Sequence, residues 1–272
     1  MANKVKVVVV VHGSRRARWV AMQEEWFAGV RDAVRSHGAT ELEPELAFLE
    51  VTEPLFADVL ERNAREGEPV LVFPFFLSRS GHVGDDIPEL AEQVLEGRVP
   101  WRITQAEDWA DVLARNAERR LAAAGAGTDD PVVVCGYGSS HHEGQWRDLV
   151  AGIQERSAVW RNAEPWQWAA CGHFLEDAGE PFRRQVAALA AKGHRRVAVL
   201  PLFLAVASYQ EELIPSVMRE FPGVEFLYRP DAILPDTALE QWAGGLIAHA
   251  AGAFLEDIKG GSHLQSSLTE QP

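Results

Sequence analysis

The chain has 272 residues, room for two domains of ordinary size or one larger one. Hydrophobic residues make up 47% and charged residues 24%, so a sizeable core can sit beneath an ordinary polar surface. With 26 basic and 40 acidic residues the net charge is -14. That balance argues against nucleic acid as the main partner, because duplex binding needs a dominant basic face. It leaves open an anionic small molecule, which needs only a local basic patch.

The two cysteines, Cys135 and Cys171, form no CxxC pair, so no disulfide framework is expected and a reducing cytoplasm is the natural location. The first residues lead straight into the valine run Val7 to Val11, which stops at His12. The run is too short for a membrane span and no small-residue cleavage site follows it. It reads as a buried parallel strand. His12-Gly13-Ser14 breaks it, and Trp19, Val20, Trp26, Phe27, Val30 and Val34 then recur at helical spacing over 19–36. A second short strand is expected over 45–51. Glu53-Pro54 opens a helix to about Arg65, with proline at an early helical position, and Gly67 ends it. A third strand covers 70–77, followed by Ser78-Arg79-Ser80-Gly81-His82 and a helix from Ile87. A weaker strand fits 99–104, and 109–124 is helical. This alternation implies a parallel, doubly wound α/β sheet.

Gly125-Ala126-Gly127-Thr128-Asp129-Asp130 is a small-residue, acidic joint, after which the pattern restarts. Pro131 to Cys135 is a strand ending in Gly136-Tyr137-Gly138-Ser139, Glu180-Pro181 opens a helix, and a strand over 197–204 contains Leu200-Pro201-Leu202-Phe203-Leu204. Pro54 and Pro181, Pro74 and Pro201, and Pro88 and Pro215 are each 127 residues apart. Three prolines at one offset imply an internal duplication. The expected lobes are 1–125 and 126–258, two similar α/β domains facing a cleft, with a Gly/Ser/Gln-rich tail over 259–272 read as disordered.

These pieces resemble the sirohydrochlorin chelatases of the CbiX and SirB type, within the class II chelatases. The matching segments are Val11-His12-Gly13-Ser14-Arg15, then Phe48-Leu49-Glu50 with Glu53-Pro54, then Phe73 to Leu77 followed by Gly81-His82-Val83 and Asp86-Ile87-Pro88. They fall in the family's order and spacing and cover nearly all of the first half. The second half resembles the second repeat of the long members more loosely. The resemblance implies an active site with His12 after the first strand, Glu50 after the second and His82 after the third. It implies insertion of divalent cobalt or iron into a tetrapyrrole, sirohydrochlorin, without ATP, in cobalamin or siroheme biosynthesis. One departure is Thr104-Gln105-Ala106-Glu107-Asp108, which stands where the family carries a leucine-glycine and histidine-proline segment.

Read from the residues, ligands of a doubly wound sheet bind at the carboxyl ends of its strands, where His12, Glu50 and His82 all lie. Two imidazoles and a carboxylate suit a first-row ion such as Co²⁺, Fe²⁺ or Ni²⁺. Histidine also accepts protons near neutrality, and metal insertion releases two pyrrole protons. Glu50 either orients a histidine, completes the metal shell or relays a proton. The bland alternatives are loop histidines bonded to backbone and a solvated carboxylate. Arg15, Arg16 and Arg18 follow His12, and Arg79 precedes His82, a basic cluster suited to substrate carboxylates or to a solvated face. Ser14 lies between them, and Gly13 and Gly81 would let a macrocycle approach the backbone.

In the second half His82 corresponds to Tyr209, and His12 corresponds to Tyr137 when the two Gly-Ser pairs are matched. That half is expected to lack insertion chemistry and to shape substrate binding through the tyrosines. His141, His142, Cys171 and His173 remain as metal ligands or as loop and lining residues. Gly136-x-Gly138 followed by His141 misses the third glycine of a dinucleotide fingerprint. No GxxxxGK[ST] loop supports a nucleotide, and no GxSxG elbow supports a hydrolase. Two rivals stay open: a chelatase-fold enzyme recruited to different metal-dependent chemistry, and a non-catalytic metal- or tetrapyrrole-binding relative.

Overall fold

The valine run becomes β1 (Lys6–Val11), and its residues Val7 to Val11 are buried on both sides. Each valine removed from water contributes roughly 1.5–3 kcal/mol, so this strand anchors the first half. The structure, a computed structural model, describes residues 4–39, 41–77, 81–104, 109–139, 142–172 and 175–260. From β1 the chain continues through α1 (Ala17–Ser36), β2 (Pro44–Phe48), α2 (Phe56–Glu66) and β3 (Val70–Pro74). A single π-helical turn over His82–Asp86 then leads into α3 (Ile87–Leu95) and β4 (Trp101–Ile103). The second half runs α4 (Trp109–Ala123), β5 (Val132–Gly136), α5 (Glu143–Arg156), β6 (Gln167–Ala170), α6 (Glu180–Ala191) and β7 (Arg196–Leu202). Another π-helical turn, Tyr209–Leu213, precedes α7 (Ile214–Met218), β8 (Glu225–Tyr228) and α8 (Thr237–Lys259).

Each half carries one four-stranded sheet, ordered β2-β1-β3-β4 and β6-β5-β7-β8, and every pairing is parallel. The register repeats as well. Val10 lies beside Pro74 and Cys135 beside Pro201, so the paired prolines occupy the same place in both sheets. This is a duplicated doubly wound α/β fold. In the first half Val8 and Val10 pack against Phe56, Val59 and Leu60 of α2 and Ile87, Ala91 and Leu95 of α3. In the second, Val133 and Cys135 pack against Phe182 and Val186 of α6 and Ile214 and Val217 of α7.

The compact units divide the chain differently from the expected 1–125 and 126–258. One unit is Met1–Glu107 with Thr237–Pro272, and the other is Asp108–Asp236. The polar side chains of α4 explain where it goes. Asn116 donates to the Ile233 carbonyl and to Asp236, while the buried Arg120 donates to the Pro201 carbonyl and, through Nε and Nη2, to Asp231 Oδ1. A guanidinium this buried needs those acceptors. The long α8 packs on α1 in the first unit, where Gly244 meets Ala33 and Val34 so closely that an added Cβ would lie 2.5 Å from the Ala33 side chain.

Two local expectations change. The Glu53–Pro54 bond is cis and α2 begins only at Phe56, so Pro54 is not an early helical residue, whereas Pro181 is one in α6. His82 opens a π-helical turn and does not sit in an open loop. Of the expected tail, Lys259 still belongs to α8, and 261–272 lies outside the described residues. No helix among the described residues is long and apolar enough to cross a membrane.

Candidate functional site

His12 and His82, 70 positions apart in sequence, meet at the carboxyl ends of β1 and β3. Their rings are 4.9 Å apart between centroids and perpendicular, at 86°. Parallel pairing of β1 with β3 carries both chains out of the sheet at the same edge. The loop after β1 is held by backbone contact with the loop after β2. Gly13 has φ +103, and a Cβ there would lie 1.9 Å from the Glu50 carbonyl oxygen. Glycine is therefore demanded by the neighbouring chain at this position, in addition to any approach of a ligand. Thr52 locks the same two loops together. The Ser14 N–H donates to its hydroxyl oxygen at 3.0 Å, and that hydroxyl donates to the Ser14 carbonyl at 2.9 Å.

Both imidazoles are held through Nδ1. On His12, Nδ1–H donates to the Gly13 carbonyl at 3.1 Å, and Glu50 Oε1 stands 3.7 Å away. On His82, Nδ1–H donates to Asp86 Oδ2 at 2.6 Å. A carbonyl and a carboxylate only accept, so a neutral ring at either position carries its proton on Nδ1 and leaves its Nε2 lone pair for a ligand. Two imidazoles bonded to one ion at about 2.1 Å bring their ring centroids to about 5 Å, the separation seen here. Both rings are half-buried, and Phe76 lies beside His82 at 6.4 Å between centroids. Among the described residues no three His, Cys, Asp or Glu side chains are gathered tightly enough to hold a metal unaided. The arrangement is an open, two-nitrogen site with carboxylates behind it.

The other expected residues fall in varied surroundings. Arg15, Arg16 and Arg18 are exposed at the start of α1, and Gly81 is exposed, with Asp85 Oδ2 3.8 Å from where a Cβ would stand. Ser14 is occupied within its loop, its hydroxyl accepting the Arg16 N–H. Phe75 is core, stacked on Trp26. Arg79, His141 and His173 lie outside the described residues, as does 105–108. His142 stands at the N-cap position of α5 without a side-chain capping bond, its Nδ1 3.4 Å from the Gln145 amide nitrogen. Cys135 and Cys171 are free and buried, and burial pushes the Cys135 thiol upward, an inert state for a thiol.

The second unit repeats the geometry with other chemistry. Tyr137 and Tyr209 stand at the same strand ends, 5.9 Å apart between centroids and again at 86°. Gly138 keeps the positive φ of Gly13. Phe203 stacks on Tyr209 at 5.2 Å. Burial, with smaller contributions from Tyr137 and Cys171, raises the Tyr209 phenol above its ordinary range. Neither phenol offers the neutral nitrogen of an imidazole.

Three residues of the first site were not singled out from sequence. Thr52 gives no sequence signal, since its partner is 38 positions away. Val51 is half exposed and has φ 65, rare for a β-branched residue, at the apex of a turn closed by the Thr52 N–H on the Glu50 carbonyl. Asp86 stands four residues after His82, a spacing that reads as a helical pair.

Fold and site together define a duplicated chelatase-like α/β protein that pairs two histidines at the strand ends of its first sheet. The chain belongs to the CbiX family, whose sequence model matches residues 6–118 and 131–232. Among solved structures it is similar to SirB from Bacillus subtilis with Fe³⁺, at 19% identity and TM-score 0.66, covering 94% of this chain and 98% of that one. The sirohydrochlorin chelatase SirB from Bacillus subtilis subspecies spizizenii in complex with cobalt gives 18% identity and TM-score 0.60, covering 94% and 97%. A third, CbiX, described as the terminal enzyme for biosynthesis of siroheme in denitrifying bacteria, gives 16% identity and TM-score 0.56, covering 91% and 98%. No curated protein matches the chain significantly in sequence.

Proposed function

We propose that this chain is a sirohydrochlorin chelatase that places a divalent ion, cobalt or iron with nickel as a further candidate, into the macrocycle without a nucleotide. The observation that carries the reading is the His12–His82 pair, perpendicular at 4.9 Å with both Nδ1 atoms engaged and both Nε2 atoms free to bind. Family membership and structural neighbours that hold Fe³⁺ and cobalt support it.

The chemistry follows from exchange. Insertion swaps one dication for two pyrrole protons. As the ion leaves the two Nε2 atoms for the macrocycle nitrogens, the same lone pairs become free to take those protons. An open site with only two nitrogens favours this, because a closed four-ligand cage would retain the ion. Glu50 stands behind His12 and helps to hold its orientation. Arg15, Arg16, Arg18 and Arg79 bind the carboxylates around the macrocycle rim, with Ser14 and Gly81 alongside. Tyr137 and Tyr209 bind tetrapyrrole without exchanging a metal. Two buried free thiols fit work in the reducing cytoplasm.

The test is incubation with sirohydrochlorin and Co²⁺, Fe²⁺ or Ni²⁺ in turn, following the visible spectrum of the macrocycle. Catalysed change with one or more ions, and none requiring ATP, is the expected result. Tight tetrapyrrole binding with uncatalysed metal entry would mark a carrier. Neither binding nor turnover would mark an enzyme of other chemistry on this fold.

A further inference from the structure

Asp86 is an exposed carboxylate in a part of the chain where stability gives it little to do. Its side chain is 56% exposed and that of His82 is 35% exposed, yet the two meet at 2.6 Å. Exposed ion pairs contribute at most about 1 kcal/mol, so the contact is a weak reason for the residue to be there. The duplicated half supplies an internal control. Tyr209–Leu213 forms the same π-helical turn, running into the same Ile-Pro helix start, with Leu213 in the place of Asp86. The turn therefore does not need the carboxylate.

Other replacements accompany this one. The Leu49 N–H bonds the Val11 carbonyl in the first half, as the Cys171 N–H bonds the Gly136 carbonyl in the second. That correspondence sets Glu50 against Gly172 and His12 against Tyr137. His12, Glu50, His82 and Asp86 thus become Tyr137, Gly172, Tyr209 and Leu213, while the backbone carrying them stays the same. Both carboxylates are missing where both imidazoles are missing.

From this we infer that Asp86 is a positioning residue for metal transfer: its carboxylate holds the His82 ring as the Nδ1–H tautomer and turns Nε2 toward the ion. A carboxylate accepts and does not donate, so it stabilises one tautomer only. Free imidazole has no such constraint, and a His82 ring with its proton on Nε2 presents no lone pair to the metal at that atom. Such partners of metal-binding histidines change metal affinity by about 10–100-fold when removed.

The inference rests on the chelatase reading, and the experiment separates the two. The full chain and its Asp86→Leu, Asp86→Asn and His82→Ala variants are titrated with Co²⁺ alone, and the His82 ring nitrogens are read by ¹⁵N NMR at a pH where the ring is neutral. Asp86→Leu installs the residue type that the second half already carries in the same turn, so the fold should persist, checked by an unchanged unfolding midpoint. The expected result is a Nδ1–H tautomer in the parent, a shift toward Nε2–H in Asp86→Leu, and Co²⁺ affinity about 10–100-fold weaker. The Michaelis constant for tetrapyrrole should stay unchanged. A carboxamide can accept or donate, so Asp86→Asn should show mixed tautomers and an intermediate loss. Parental tautomer and Co²⁺ affinity in Asp86→Leu, beside a loss in His82→Ala, would overturn the role of Asp86 alone. Undiminished Co²⁺ binding in His82→Ala would overturn the metal site itself, and this proposal with it.

Discussion

The two sheets of this chain are built alike and furnished differently. Each has four parallel strands in the same order, a glycine at positive φ after its first strand and a π-helical turn after its third. Each sets two rings at 86° on that frame. In one unit the rings are imidazoles with Glu50 and Asp86 nearby, and in the other they are phenols, with Gly172 and Leu213 at the positions of those carboxylates. The comparison separates scaffold from chemistry. What the two units share, including Gly13 and Gly138, serves the backbone. What differs is the set of side chains to which the proposed ion handling is assigned.

The largest effect that would break this comparison is on metal binding. His12→Ala or His82→Ala should weaken Co²⁺ binding by roughly 100-fold or more, since each leaves a single nitrogen ligand. Calorimetric titration of each variant checks it. A second ion bound by the tyrosine unit would appear as binding that survives both changes, and would blur the distinction between the units.

A smaller effect is expected at the basic cluster. Replacing Arg15, Arg16 and Arg18 together with alanine should raise the Michaelis constant for tetrapyrrole roughly tenfold, from exposed charges worth up to about 1 kcal/mol each. Added salt should shrink the difference between variant and parent, because such charges are screened over about 8 Å at physiological ionic strength. Turnover at saturation should change less, since a rim carboxylate is bound alike in ground and transition states. Unchanged affinity would return these arginines to a solvated face.

The smallest effect concerns Tyr209→Phe, which keeps the stack on Phe203 and removes the hydroxyl. The turnover number should stay within about twofold of the parent, because the raised phenol stays protonated and takes no proton from the substrate. Its sign on stability is also set. A phenol whose folded value lies above the unfolded one contributes stability that is present below pH about 10 and is lost as pH rises through the folded value. Urea unfolding between pH about 8 and about 11 should therefore show a shallower alkaline decline in Tyr209→Phe than in the parent. A turnover loss equal to that of His82→Ala would mean the roles of the two units are misassigned.

Much of this was legible in the sequence because it depends on local patterns. The valine run, the paired prolines and the change to helical spacing mark the strands, the repeat and the parallel order. His12 and His82 follow strands that end at one edge, so topology alone brings them together. The rest depends on contacts that sequence distance conceals. Thr52 joins Ser14 across 38 positions, and the positive φ of Val51 has no signature in a valine. The unit boundary moved because Asn116 and Arg120 find their acceptors at Ile233, Asp236 and Asp231, more than a hundred positions on. Asp86 was visible within a motif, but its bond to His82 emerges only from the π-helical turn.

The most direct test of the account compares catalysed insertion in the parent, in a His12→Ala/His82→Ala double variant and in a Tyr137→Phe/Tyr209→Phe double variant. Each is given sirohydrochlorin with Co²⁺ and followed by the visible spectrum. The account predicts that the histidine variant falls to the uncatalysed rate while the tyrosine variant keeps most of its turnover number. Undiminished insertion by the histidine variant would contradict it.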